Sequence, residues 1–418
     1  MKLLSITDQM LVSGSHFLIG IIVARALGLA GFGIFAVAWM VVLFANSLQQ
    51  AFILTPMMTF APQKEKTAKK DYLSDLWILQ IGVALIAMSV TFAFCWSSQF
   101  FSPEWNLISL TKVLPLTIFL FLIHDFLRKQ FYVNENLKAA LALDFLAYTP
   151  QLIFLAFSYM TNTLVLAKSL WFINAGYLIA ILFNMRHTTG IDSSSTKTLK
   201  RTCSQHWQFA KWLVGKTLLQ WFSGNLFIIT AATLLGPAAV GAIRLAQNVM
   251  GIVNVFFIAI ENYIPIQAAK IYAQQGKIAL FNYLKTITLQ GGILSTILVA
   301  AILLLAPLII KILYGITDPS SILLLRGFAI LSLIVFIGIP IRFAIRTLEQ
   351  TKSIFIAYTL STTFSFTCAY PIVKNWGLTG VIIGLITAQA IMQIYYLLNL
   401  KTLQNSEKTI EKKIELVN

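Results

Sequence analysis

The chain has 418 residues, of which 58% are hydrophobic and only 11% charged, and it carries a net charge of +16. A mean hydropathy of +0.80 excludes a soluble globular protein and a disordered chain, because so few charges cannot coat a water-facing surface. The positive charge does not point to nucleic acid: the lysines and arginines gather in alternate connections between apolar runs, the arrangement that the positive-inside rule gives membrane proteins.

A spanning helix needs about 20 mostly apolar residues, and runs of that kind recur about twelve times. They lie near 8–27, 33–58, 73–97, 107–127, 137–160, 163–185, 208–235, 238–264, 280–304, 322–347, 353–373 and 377–400. Asp8 interrupts the first run early and no small-residue cleavage site follows, so a retained span is expected there rather than a signal peptide. The fold class expected is an all-α integral membrane protein of about twelve helices.

The connections after even-numbered spans are basic. Lys64, Lys66, Lys69 and Lys70 follow the second span; Arg128, Lys129 and Lys138 follow the fourth; Arg186, Lys197, Lys200, Arg201 and Lys211 follow the sixth. Lys270 and Lys277 follow the eighth, Arg342, Arg346 and Lys352 surround the turn after the tenth, and Lys401, Lys408, Lys412 and Lys413 lie in the tail. Odd connections are short and poor in cations, so both termini are expected on the cytoplasmic side. The long polar connection from Asn184 to Gln205 divides the chain into an N-terminal six-helix bundle (1–185), a cytoplasmic linker (186–207), a C-terminal six-helix bundle (208–400) and a cytoplasmic tail (401–418).

The two halves resemble each other. Leu27-Gly28-Leu29-Ala30-Gly31-Phe32-Gly33 joins spans one and two, and Leu235-Gly236-Pro237-Ala238-Ala239-Val240-Gly241 joins spans seven and eight, at an offset of 208 residues. Ala38 matches Ala246 and Asn46 matches Asn254 at the same offset, with Pro56 and Pro265 one residue out of step. Such self-similarity is the mark of an internal repeat. An even number of spans per half makes the repeat parallel, and transporters built that way set the substrate path at the repeat interface.

Charges at membrane depth are costly and persist where they face a partner or a wet cavity. The cations there are Arg25, Lys168, Lys216 and Arg244; the acids are Asp125, Asp144 and Glu261. Arg244, Gln247, Gly251, Asn254 and Glu261 share one helical face, and Asn46 and Gln50 stand one turn apart with Trp39 seven residues before Asn46. These polar stripes fit a central cavity. The plainer alternatives are hydrogen bonding between helices for Asn46, Gln247 and Asn254, and snorkelling to the outer interface for Arg25, Lys112 and Lys168. Asp125, beside His124 and shortly before Arg128, reads as part of an ion pair at the cytoplasmic end of its span, while Asp144 and Glu261 are candidate proton or cation sites. Pro56, Pro115, Pro265 and Pro340 mark hinges or helix ends, and Gly377, Gly380 and Gly384 allow close helix packing.

Signals of enzyme chemistry fail. Gly215-Lys216-Thr217 resembles the end of a phosphate-binding loop, but Ala210 stands where its first glycine belongs and no strand precedes it. No metalloprotease or nucleophile-elbow motif occurs, four histidines and the scattered Cys95, Cys203 and Cys368 make no metal or disulfide spacing, and no large outer loop could hold a catalytic centre. Neither a cofactor nor a metal is expected, and the chain is not expected to be an enzyme.

Asp8-Gln9-Met10-Leu11-Val12-Ser13-Gly14-Ser15, then Ala24-Arg25-Ala26-Leu27-Gly28 and Phe32-Gly33-Ile34-Phe35-Ala36, resemble the first two helices of bacterial polysaccharide flippases of the O-antigen type. Trp376-Gly377-Leu378-Thr379-Gly380-Val381 is similar to the last helix of their superfamily, the multidrug/oligosaccharidyl-lipid/polysaccharide exporters, which includes the MATE transporters. The resemblance implies a V-shaped pair of six-helix bundles related by a pseudo-two-fold axis, in the bacterial inner membrane. It implies export of a polyprenyl-pyrophosphate-linked oligosaccharide to the outer leaflet by alternating access without ATP, with membrane lipid and glycan-assembly proteins as partners and a proton or sodium ion as coupling ion. Arg25 matches the arginine before the Leu-Gly turn of many relatives; Lys216 and Arg244 match only as cations of the second bundle. The substrate-binding set expected is Arg25, Lys216, Arg244, Asn46, Gln247 and Asn254, with Asp144 and Glu261 for ion coupling. The alternatives are a MATE-like cation-coupled drug antiporter, a membrane glycosyltransferase or polymerase, and a passive scaffold in a glycan-assembly complex. An excess of cations over acids at membrane depth favours an anionic cargo.

Overall fold

The computed structural model describes residues 2–185, 196–348 and 350–415. These form helices α1 (Lys2–Gln49), α2 (Thr55–Phe60), α3 (Lys66–Phe101), α4 (Leu114–Val133), α5 (Leu137–Met160), α6 (Leu166–Asn184), α7 (Thr196–Tyr314), α8 (Pro319–Thr347) and α9 (Thr351–Glu415), with a π-helical turn at Gln50–Leu54 and short 3-10 turns before α3 and α4. No strand occurs among the described residues. Eight stretches are long and apolar enough to cross a membrane, and the chain is an all-α, multi-pass membrane protein. The 20-residue α4 falls outside those eight because Asp125, Arg128 and Lys129 crowd its second half.

Four of the eight stretches, of 48 to 57 residues, are too long for one straight crossing. A straight helix of the length of Thr7–Gln63, 57 residues, would extend ~85 Å against a hydrocarbon core of ~30 Å. The backbone breaks inside each: at Gly28 (φ 67°, ψ −177°), at Gly236 (φ 80°, ψ −173°), at Gly276 (φ 78°, ψ −171°) and at Gly377 (φ 56°, ψ −135°). A Cβ is strained at such positive φ, so glycine is the residue that fits. Gly28 and Gly236 stand 208 residues apart and share one backbone conformation. A second correspondence follows: the extended residues Lys64 and Glu65 before α3 are answered by a break at Gly276 (φ 78°), 211 residues after Glu65. The repeat in the sequence is thus matched by a repeat of helix breaks. Gly377 belongs to this set and not with the packing glycines Gly380 and Gly384, with which the sequence grouped it.

The chain divides into two compact units, Met1–Leu218 and Leu219–Asn418. In the first, α5 crosses α6 so closely at Gly176 that a Cβ there would lie 2.3 Å from the Ala147 carbonyl oxygen. Trp77 packs edge-on against Phe126 at 4.8 Å, and Phe121 against Tyr177 at 5.6 Å. The start of α7 is fastened to this unit. Thr198 and Thr202 donate to the two oxygens of the buried Asp75 (3.2 and 2.7 Å). His206, fully buried, lies between the Phe52 carbonyl (3.0 Å from Nδ1) and the Tyr72 hydroxyl (2.6 Å from Nε2). A carbonyl only accepts, so Nδ1 carries the proton and a neutral ring takes the Tyr72 O–H at Nε2.

In the second unit α8 starts on a cap in which Asp318 accepts from the Ser321 backbone N–H at 2.7 Å, with Pro319 in the first turn. Gly384 of α9 lies so close to Phe227 of α7 that a Cβ would meet the ring at 2.0 Å. Ile345 near the end of α8 and Ala357, Met392 and Tyr396 of α9 form a buried cluster. Of the prolines, Pro56 and Pro115 begin α2 and α4, whereas Pro265 and Pro340 lie inside α7 and α8.

Candidate functional site

The first unit holds a buried charge cluster built by α1, α4 and α5. Helical spacing puts His124, Arg128 and Tyr132 of α4 on one face at four-residue intervals. Arg128 pairs with Asp8 of α1 through Nη2 and with Asp144 of α5 through Nε at 2.7 Å. His124 Nε2 lies 3.3 Å from Asp144, and the Tyr132 hydroxyl donates to Asp8. Asp8, His124 and Asp144 are all buried. Aromatic rings wall the cluster: His124 lies 4.9 Å from Tyr177 and 6.1 Å from Tyr148, and His16 packs on Tyr148 and Trp39. Breaking such a group by removing one member is costly, ~3–5 kcal/mol, because a buried charge is left uncompensated.

One residue further round α4, a turn of about 100°, Asp125 serves a separate group. Its Oδ2 accepts from Asn46 Nδ2 and Gln50 Nε2, both at 2.8 Å. Asn46 also donates to Gln49 Oε1 at 3.3 Å. Behind them Gln49 and Gln80 are linked at 2.9 Å and both donate to the Leu122 carbonyl (2.7 and 3.1 Å). Asp125 therefore does not join Arg128 in the ion pair expected from their spacing; amides from α1 and its π turn take it instead.

In the second unit Arg244 is half-buried in α7. Its Nη1 donates to Gln247 Oε1 at 2.8 Å and its Nη2 to Asn225 Oδ1 at 3.2 Å, while Asn225 anchors itself on the Trp221 carbonyl at 2.9 Å. These two partners are neutral amides. They orient the guanidinium fork, whose planar geometry suits recognition of phosphate or carboxylate. Asn248 donates to Tyr314 at 2.9 Å one turn beyond.

Arg244 and Gln247 are brought together, and Asn46 is held by Asp125. Arg25 and Lys216 are exposed, the first on α1 before the Gly28 break, the second near the end of the first unit. Asp144 lies inside the Arg128 cluster. Asn254 and Glu261 sit on α7, but their side chains fall outside the described residues. Lys168 of α6 is half-buried and donates to Thr163, just before the helix, at 2.9 Å. Sequence reasoning missed Asp8, Gln80 and Asn225. Asp8 carried a usable signal, a lone acid within an apolar run matched by the surplus cation Arg128.

A family model described as polysaccharide biosynthesis protein matches residues 22–317. The chain belongs to that family. Among solved structures, a multidrug resistance MATE family transporter of the MOP superfamily in an inward-facing conformation is similar at a TM-score of 0.76 and 15% identity, covering 96% of each chain. The lipid II flippase MurJ in an inward closed conformation is similar at 0.68 and 14% identity, over 95% of this chain and 87% of MurJ. A MOP superfamily transporter from Pyrococcus furiosus is similar at 0.62 and 13% identity, over 96% and 94%. At these identities the likeness is one of fold, and the fold of this family member is MATE-like. No curated protein matches the sequence.

Proposed function

We propose that this protein is a flippase that moves a polyprenyl-pyrophosphate-linked oligosaccharide from the cytoplasmic to the outer leaflet of the bacterial inner membrane, by alternating access without ATP. The observation that carries the reading is the Arg244 guanidinium, held at membrane depth by the neutral amides of Gln247 and Asn225, in a chain of a polysaccharide biosynthesis family. A pyrophosphate is an anion that such a fork binds in two-point fashion. Arg25, Lys216 and Asn254 complete the pyrophosphate-binding set in this proposal; Asn46, whose amide nitrogen is taken by Asp125, contacts the sugar part of the substrate. Two crossings for each stretch broken at Gly28, Gly236 and Gly377, and one for every other stretch and for α4, give twelve passes, with both termini assigned to the cytoplasmic side.

The driving force is assigned to the first unit. Two carboxylates, Asp8 and Asp144, stand against one guanidinium, Arg128. One negative charge is left over, and a proton or sodium ion that balances it supplies the coupling. Glu261 of the second unit is kept as a second candidate. The protein works beside glycan-assembly enzymes and makes no glycan bond itself.

Replacing Arg244 with alanine in the cell, and scoring surface polysaccharide at equal protein level, tests the proposal. Loss of polysaccharide with retention in Arg244→Lys is expected. Intact polysaccharide together with new sensitivity to cationic drugs would favour a drug antiporter instead.

A further inference from the structure

Asn46, Gln50 and Asp125 form a group that the charge chemistry above does not use. A carboxylate accepts and does not donate, so Asp125 selects the nitrogen ends of both amides. Their oxygens are thereby turned away from it. Among the described residues neither Asn46 Oδ1 nor Gln50 Oε1 accepts a hydrogen bond, and both side chains are half-buried. Asp125 itself is only 8% exposed, so it sits behind the two amides as their support.

Three further features line up with these oxygens. Asn46 and Gln50 are one turn apart, ~6 Å along the axis, a span over which hydroxyls on one sugar ring or on neighbouring rings can donate to both. A π-helical turn opens at Gln50, and π-bulges recur at functional sites. Two turns before Asn46 on the same face stands Trp39, half-buried, stacked parallel on Phe35 at 6.1 Å and met edge-on by Phe121 at 5.7 Å. A fixed indole offers an apolar plate with a polar edge, which suits the C–H face of a pyranose. A bare cation would use the oxygens but has no need of the indole.

We infer that Asn46 and Gln50 are the glycan-reading residues of this protein, accepting hydrogen bonds from sugar hydroxyls beside Trp39, with Asp125 as the positioning residue that keeps their oxygens outward. The inference rests on the flippase reading and assigns the sugar, as distinct from the pyrophosphate, to these two amides. Sites built to bond a substrate hydroxyl discriminate strongly against ligands that lack it, so these residues set which glycan is carried.

The test uses the full-length protein in lipid nanodiscs and two probes: the lipid-linked oligosaccharide extracted from the host cells, and polyprenyl pyrophosphate without sugar. The wild type is expected to bind the glycosylated lipid about tenfold more tightly, in line with two hydrogen bonds of about 0.5–1.5 kcal/mol each. The double variant Asn46→Ala, Gln50→Ala is expected to bind both probes alike, at the wild-type strength for the sugar-free lipid. Gln50→Ala alone gives a smaller loss and serves if the double variant does not fold. Asp125→Ala should lose the preference and Asp125→Asn keep part of it, a rescue that a purely structural role would not direct to one probe. Equal weakening for both probes, no change for either, or a sodium requirement that vanishes with the two amides would overturn the inference. A wild type that binds neither lipid would remove the flippase reading itself; one that binds both equally would remove this inference alone.

Discussion

The two units share helix breaks at Gly28 and Gly236, yet Arg128 and Arg244 sit in different surroundings. In the first, Arg128 is enclosed by Asp8 and Asp144, and Asp125 is met by amides, so each charge has a partner of its own choosing. In the second, Arg244 leans on the neutral Gln247 and Asn225. In the proposed reading the labour is divided: an ion-balancing cluster in the first unit, and in the second a cation presented to an anionic cargo. The glycines at 28 and 236 fix the shared part; the side chains around α4 and α7 make the difference.

The largest effect on stability is expected from Arg128→Ala, which strands two buried carboxylates and should cost about 3–5 kcal/mol, read as a fall in thermal unfolding temperature in detergent. Restoring charge balance with Asp8→Asn and Asp144→Asn in the same chain should recover much of that loss. Arg244→Ala should leave the unfolding temperature nearly unchanged while lowering export; an equal loss of stability would mean that both arginines are structural and would erase the contrast between the units. Gly384→Leu drives a side chain into Phe227 and should cost about 1–3 kcal/mol by overpacking, seen by thermal unfolding. His206→Ala leaves the Phe52 carbonyl and the Tyr72 hydroxyl without their shared partner. That should cost about 1–3 kcal/mol and raise proteolysis near the start of α7. The smallest change is expected from Asp144→Asn, which keeps shape and removes one charge; its signature is an altered dependence of transport on pH or sodium rather than on temperature.

Much of the fold was legible because its signals are local. Apolar runs, alternating basic connections and the Leu-Gly turns at 27–28 and 235–236 each lie within a few residues, and each answers to membrane thickness or to backbone sterics. The pairing of charges was not legible in the same way. Arg128 could turn to Asp125 three residues away, yet its partners come from Asp8 and Asp144, on helices whose packing no spacing rule reveals. One step of about 100° along α4 separates the face that holds the ion pair from the face that holds the amides. Arg244 with Gln247 was readable, being three apart on one helix, whereas Asn225 was hidden nineteen residues away across the Gly236 break.

Reconstitution tests the central claim most directly. Purified protein in liposomes containing host lipid-linked oligosaccharide on one leaflet should deliver the glycan to the other, where an impermeant lectin or glycosidase detects it. The account predicts delivery by the wild type without ATP and at least a tenfold slower rate for Arg244→Ala, a loss of about 1.4 kcal/mol or more in barrier terms. Delivery at the wild-type rate by a folded Arg244→Ala protein would contradict it.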